Sequence, residues 1–126
     1  MSVVLDASAL LVLLNEEPGH QEVVNYLSVA IMSAVNYTEV LTVLIAQGVP
    51  AQIAEEITSG LLGEIVPFES KQAIIAANLR SLTKPFGLSL GDRACLALGK
   101  DRKAAIVTAD KIWKKIDLDM DIILIR

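Results

Sequence analysis

A chain of 126 residues is one domain's worth, and at that length roughly 65 to 70% of the unfolded surface can be buried on folding. Hydrophobic residues at 53% against 21% charged, with only 7 Gly and 4 Pro, exclude disorder, collagen-like repeats and low-complexity linkers. The net charge of −4 argues against a basic duplex-coating protein, but its distribution is uneven: residues 1–70 hold nine acids and no Lys or Arg, whereas residues 71–126 hold all eleven bases and six acids. The halves therefore carry −9 and +5, an asymmetry that can mark an interaction surface. One cysteine, Cys95, and no CxxC or HxxxH spacing exclude a disulfide-stapled scaffold and a zinc ribbon, and fit a reducing, cytoplasmic home. The longest apolar run, Ala7 to Leu14, falls well short of the roughly 20 residues of a membrane span, and no signal-peptide charge precedes it. The expectation is a soluble protein without an address tag.

In chain order, Ser2 to Leu5 reads as a short buried strand ended by Asp6, and Ser8 to Leu14 is too uniformly apolar for a surface helix. Glu16 to Gly19 breaks that helix, and Gln21 to Leu27 resumes a helical pattern. Val29 to Val35 predicts a second strand running into a helix from about Ala34 to Gln47, closed by Gly48. Pro50 suits a helix start, and Ile53, Ile57 and Leu61 recur every four residues opposite Gln52, Glu55 and Glu56, so that helix is expected to be amphipathic. Glu64 to Phe68 reads as a third strand that Pro67 would permit at its end or on an edge. Ser70 to Leu82 predicts a helix with Ile75, Leu79 and Leu82 inward, followed by a loop over 84–87. Leu90 to Leu98 predicts a helix, Ala105 to Thr108 a buried strand, Lys111 to Lys115 a short helix and Ile122 to Ile125 a fifth strand. Apolar strands alternating with helices demand a parallel sheet covered on both faces, within a single domain spanning 1–126. In such sheets ligands bind beyond the carboxyl ends of the strands, where strand order reverses.

Asp6 ends the first strand and Asp110 follows the fourth, so both would project from one edge; Asp92 lies near the start of an apolar helix. Taken singly, each is best read as a helix cap. Glu39 lies inside a helix, four residues from both Val35 and Val43, on a stripe otherwise apolar. It either reaches water at the edge of that stripe or needs a partner, and no base exists in the first 70 positions to provide one. Together the four acids suggest an oxygen-only cluster, which selects Mg²⁺ or Mn²⁺ over zinc. His20 is expected to be an ordinary surface histidine, Cys95 a buried inert thiol and Trp113 a core anchor. No GxSxG, GxGxxG or Walker A sequence is present.

Four segments, "VVLDASAL", "SAVNYTEVL" around Glu39, "LSLGDRACLALG" around Asp92 and "AAIVTADKIW" around Asp110, place successive acids at separations of 33, 53 and 18 positions. In this order they resemble the PIN-domain ribonucleases, specifically the VapC-type toxins of bacterial and archaeal toxin–antitoxin pairs, over the whole chain. The resemblance implies a three-layer α/β fold whose five-stranded parallel sheet has the order 3-2-1-4-5 with helices on both faces. It implies that Asp6, Glu39, Asp92 and Asp110 are the catalytic, metal-binding carboxylates and that Ser8 and Thr108 orient a carboxylate or a bound water, each of them being equally readable as a local helix cap. It implies an Mg²⁺- or Mn²⁺-dependent endoribonuclease whose products carry a 5′-phosphate and a 3′-hydroxyl, a cognate antitoxin partner and a homodimer. Because four carboxylates repel a phosphodiester, one or two divalent cations must sit between them and the substrate. Arg93, Lys111, Lys114 and Lys115 are the expected phosphate contacts. The alternative is a PIN-like scaffold that binds RNA or a protein without cutting. A receiver domain lacks its acid after the third strand and its Lys after the fifth, and a dehalogenase-like phosphatase would need Asp where Ser8 stands.

Overall fold

The structure is a computed structural model that describes residues 1–126 throughout. Five short strands, β1 (Val3–Leu5), β2 (Ala30–Ser33), β3 (Glu64–Val66), β4 (Ala105–Thr108) and β5 (Ile122–Leu124), form one sheet of order β3-β2-β1-β4-β5 in which every pairing is parallel. Strands rich in Val and Ile with no polar face require cover on both sides. Successive residues of β1 supply it alternately: Val3 and Leu5 face one apolar cluster, Val4 the other.

The first cluster is closed by α1 (Ala7–Leu14), α2 (His20–Val24), α3 (Ala34–Ala46) and α4 (Ala51–Leu61), through Leu10, Val23, Val40 and Ala54. The second is closed by α7 (Leu90–Arg102), through Cys95, Leu96 and Leu98, and by Trp113 on the 3-10 turn Lys111–Lys115. Helix α5 (Ser70–Asn78) packs against α7, and α6 (Arg80–Thr83) follows it. β3 is an edge strand that stops at Val66, directly before Pro67, whose missing N–H could not continue the ladder. No helix is long and apolar enough to cross a membrane.

Two sequence expectations need correction. On α4 the face turned to the core carries Ala54 and Thr58, both fully buried, while Ile53 and Ile57 remain 44% and 43% exposed. Small residues let α4 lie close to α3, and the isoleucines, offset by one position, are rotated about 100° away. The helix expected over 70–82 breaks at Leu79 into α5 and α6, and Leu82 is exposed rather than inward. Thr83 takes the inward place; its Oγ1 donates to the Leu79 carbonyl at 2.8 Å.

Candidate active site

β1 and β4 are neighbours at the point where the strand order reverses, so Asp6 and Asp110 emerge at the same carboxyl edge. Asp6 is the N-cap of α1: its Oδ1 accepts from the Ala9 N–H at 2.8 Å. It is also buried, and its other donors are hydroxyls. Ser8 Oγ lies 2.7 and 2.9 Å from the two carboxylate oxygens, and Thr108 Oγ1 donates to Oδ2 at 2.6 Å. Each hydroxyl in turn accepts from the chain leaving β4, Ser8 from the Ala109 N–H at 3.1 Å and Thr108 from the Asp110 N–H at 3.0 Å. The ends of β1 and β4 are thereby tied through one carboxylate. Burial pushes the Asp6 carboxyl up to about 6 and the charge of Asp92 adds to that, against the pull of the Thr108, Ala9 and Ser8 donors.

Asp92 sits at the third position of α7 in a reciprocal cap. The Ser89 N–H donates to its Oδ2 at 2.9 Å, and its own N–H donates to Ser89 Oγ at 3.1 Å. Asp110 Oδ1 accepts from the Ile112 N–H at 3.1 Å, opening the turn Lys111–Lys115. Three of the four acids therefore do cap helices, and in Asp92 and Asp110 the cap occupies one oxygen and leaves the other free. Glu39, on α3, reaches solvent and lies over the first turn of α7. Asn36, one helical turn earlier on the same face, donates from Nδ2 to Glu39 Oε1 at 2.8 Å.

No Lys or Arg pairs with any of the four; the ion pairs are Lys71–Asp101, Arg102–Glu64 and Arg126–Glu17. Asp6, Asp92 and Glu39 all lie within electrostatic reach of the buried Cys95 thiol, which burial foremost, and then these three charges, raise well above its ordinary value. The donor set, oxygen only and without a cationic partner, fits a hard divalent cation. No three of the carboxylates, however, lie close enough together to hold an ion between them.

Of the expected phosphate contacts, Lys111, Lys114 and Lys115 are exposed on the turn after Asp110. Arg93 is placed otherwise: half-buried, it donates from Nη1 to the Ala76 carbonyl on α5 at 3.0 Å, tying α7 to α5. A cavity of about 700 Å³ is at the opposite edge among Lys100, Lys103, Asp119 and Asp121, and contains none of the four acids. Sequence reasoning passed over Asn36 and Gly91. The signal for Asn36 was a second polar side chain on the stripe that carries Glu39.

A family model described as the PIN domain matches residues 3–118. The chain belongs to the PIN domain family. Among solved structures this PIN domain is similar to a toxin–antitoxin complex from Klebsiella pneumoniae, at 15% identity and TM-score 0.76 over 99% of this chain and 98% of that one. It is similar to DNA-bound VapBC from Salmonella typhimurium, at 16% identity and TM-score 0.74 over 100% and 99%. It is also similar to VapC20 of Mycobacterium tuberculosis, described as a Sarcin-Ricin loop cleaving toxin, at 15% identity and TM-score 0.71 over 90% and 94%. At such identities the likeness carries the PIN fold. Among curated proteins no relative matches the chain.

Proposed function

We propose that this PIN domain is a divalent-metal-dependent endoribonuclease, cytoplasmic, and the toxin of a type II toxin–antitoxin pair. The observation that carries the reading is the set of four carboxylates, Asp6 and Asp110 at one sheet edge and Glu39 and Asp92 on α3 and α7 beside it, none paired with a base, one of them buried. Such a set is unfavourable alone and favourable around a cation. The structural neighbours named as a toxin–antitoxin complex and as a Sarcin-Ricin loop cleaving toxin support the same reading.

Asp6, Glu39, Asp92 and Asp110 would hold Mg²⁺ or Mn²⁺. When bound, such a cation supplies water activation and neutralises charge developing at the phosphate. Asp6 is the fixed member, its orientation set by Ser8 and Thr108. Asp92 and Asp110 are aimed by their caps, each with one oxygen free. Lys111, Lys114 and Lys115 receive the flanking phosphates. A cognate antitoxin holds the enzyme inactive, and the active form is a homodimer.

The test is cleavage of a structured RNA by purified protein, stopped by EDTA and restored by Mg²⁺ or Mn²⁺. Undiminished cleavage by Asp92→Asn or Glu39→Gln would sink the assignment. The second reading, a scaffold that binds without cutting, is favoured by the separation of the carboxylates; binding of RNA without metal-dependent turnover would establish it. For the antitoxin, co-expression with the product of an adjacent small gene should relieve growth arrest, and arrest persisting despite a stable complex would count against it.

A further inference from the structure

Asn36, on α3, is buried and spends both protons of its amide on the site. Nδ2 donates to Glu39 Oε1 at 2.8 Å and to the Gly91 carbonyl, on the first turn of α7, at 3.0 Å. Both neighbours are acceptors, so only the nitrogen end of the amide can face them. The other end, Oδ1, is buried without a partner. An asparagine kept to satisfy the core would use both ends; this one is used as a donor alone.

Gly91 completes the arrangement. A Cβ there would lie 2.5 Å from Glu39 Oε2 and 2.8 Å from Oε1 and Cδ. No side chain can occupy that space while Glu39 lies over α7, one residue from Asp92. A free, exposed glutamate would spread over several rotamers in water, and holding it in one conformation needs a wall and a tether.

We propose that Asn36 and Gly91 are positioning residues for Glu39: Asn36 ties its carboxylate to the α7 backbone, and the bare Cα of Gly91 leaves room for it beside Asp92. The proposal rests on the reading of Glu39 as a cation-holding carboxylate. Neighbours that orient a ligand typically change metal affinity by about 10- to 100-fold when removed.

The experiment is a double-mutant cycle read by Mn²⁺ affinity, in calorimetry, on the full chain without RNA. Asn36→Leu, which keeps the branching at Cγ and removes the donor, should lower Mn²⁺ affinity by about tenfold or more. Its melting temperature without metal should change little, since removing an unpaired buried oxygen offsets the crowding by the larger side chain. In a Glu39→Ala background the same change should have less than about a twofold effect, because nothing remains to be positioned. Gly91→Ala should behave likewise; the three atoms nearest its Cβ all belong to the Glu39 carboxylate, which would have to leave its place beside Asp92. An equal loss in both backgrounds, or no loss for either variant beside intact Glu39, would overturn the proposal. Should Glu39→Ala itself leave Mn²⁺ affinity unchanged, the reading of Glu39 fails first. A metal-free readout stands apart from that outcome: the Asn36 side-chain amide protons should exchange slowly with solvent in NMR, with one signal moving in Glu39→Ala. Rapid exchange of both, or no movement, would refute the tether.

Discussion

The Thr108 hydroxyl donates a 2.6 Å hydrogen bond to Oδ2 of Asp6 across 102 positions of sequence, from the last residue of β4 to the residue after β1. It also accepts the Asp110 N–H, so one buried hydroxyl orients the first acid and anchors the backbone of the fourth. Thr108→Val keeps the shape and removes both bonds. It should cost about 1–3 kcal/mol in urea unfolding, with more lost above pH ~6, where Asp6 is ionised, than near pH ~4. A cost independent of pH would mean that the hydroxyl serves the backbone alone.

Asp6 itself makes stability depend on pH. Burial holds its carboxyl at about 6 against an ordinary 3.8. A group that binds its proton more tightly in the fold than in the unfolded chain favours the fold while protonated. In the metal-free protein this contribution is complete below about pH 4 and is lost as pH rises through about 6, by at most about 3 kcal/mol. Asp6→Asn keeps acceptors for Ala9 and Ser8, because the hydroxyls of Ser8 and Thr108 can reorient. The stability of wild type relative to Asp6→Asn should therefore fall between those two pH values and level off above them. Parallel pH profiles for the two proteins would contradict the burial argument.

Much of this arrangement is legible in the sequence. Strand ends marked by Asp6 and Asp110, and apolar strands separated by helices, are enough to bring two acids to one edge once β1 and β4 are adjacent. Asp92 illustrates why two readings of one residue need not compete: the same carboxylate that closes a capping box with Ser89 keeps an oxygen for chemistry. What sequence could not settle is which stripe of a helix meets the core. Ile53–Ile57 and Ala54–Thr58 both repeat at four residues, and only the close approach of α4 to α3 selects the smaller pair. Arg93 failed for a related reason. Adjacency to Asp92 in sequence puts it about 100° around α7, where it meets α5 instead of the crevice.

The cap and the chemistry of Asp92 can be separated by substitution. Asn at this position retains an acceptor for the Ser89 N–H and removes a charge that disfavours ionised Asp6. Asp92→Asn should stay within about 1 kcal/mol of wild type without metal, yet lose RNA cleavage by on the order of a hundredfold or more. Asp92→Ala removes the acceptor as well and should cost about 1 kcal/mol beyond Asp92→Asn. A large loss of melting temperature in Asp92→Asn would assign the carboxylate chiefly to the helix.

The charge split gives the last prediction, now with a sharper set of residues. All eleven bases follow position 70, but they are not equivalent. Lys71, Arg102 and Arg126 are paired with acids away from the site, and Arg93 is engaged with Ala76. Lys111, Lys114 and Lys115 stand exposed on the turn opened by Asp110. If these three grip RNA, binding releases counterions, and affinity falls with salt at a slope of about −0.7 per contact on a single strand. Lys111→Ala, Lys114→Ala and Lys115→Ala should each flatten that slope by about 0.7, measured in an Asp92→Asn background so that the RNA stays intact. Arg93→Ala should lower the melting temperature, because it frees the Ala76 carbonyl and loosens α7 on α5, while leaving the slope unchanged. The competing account has the lysines merely solvating a short turn, with all phosphate attraction coming from the cation. That account requires three unchanged slopes and a large dependence of affinity on Mg²⁺, and a slope change in Arg93→Ala alone would place the RNA along α5 instead.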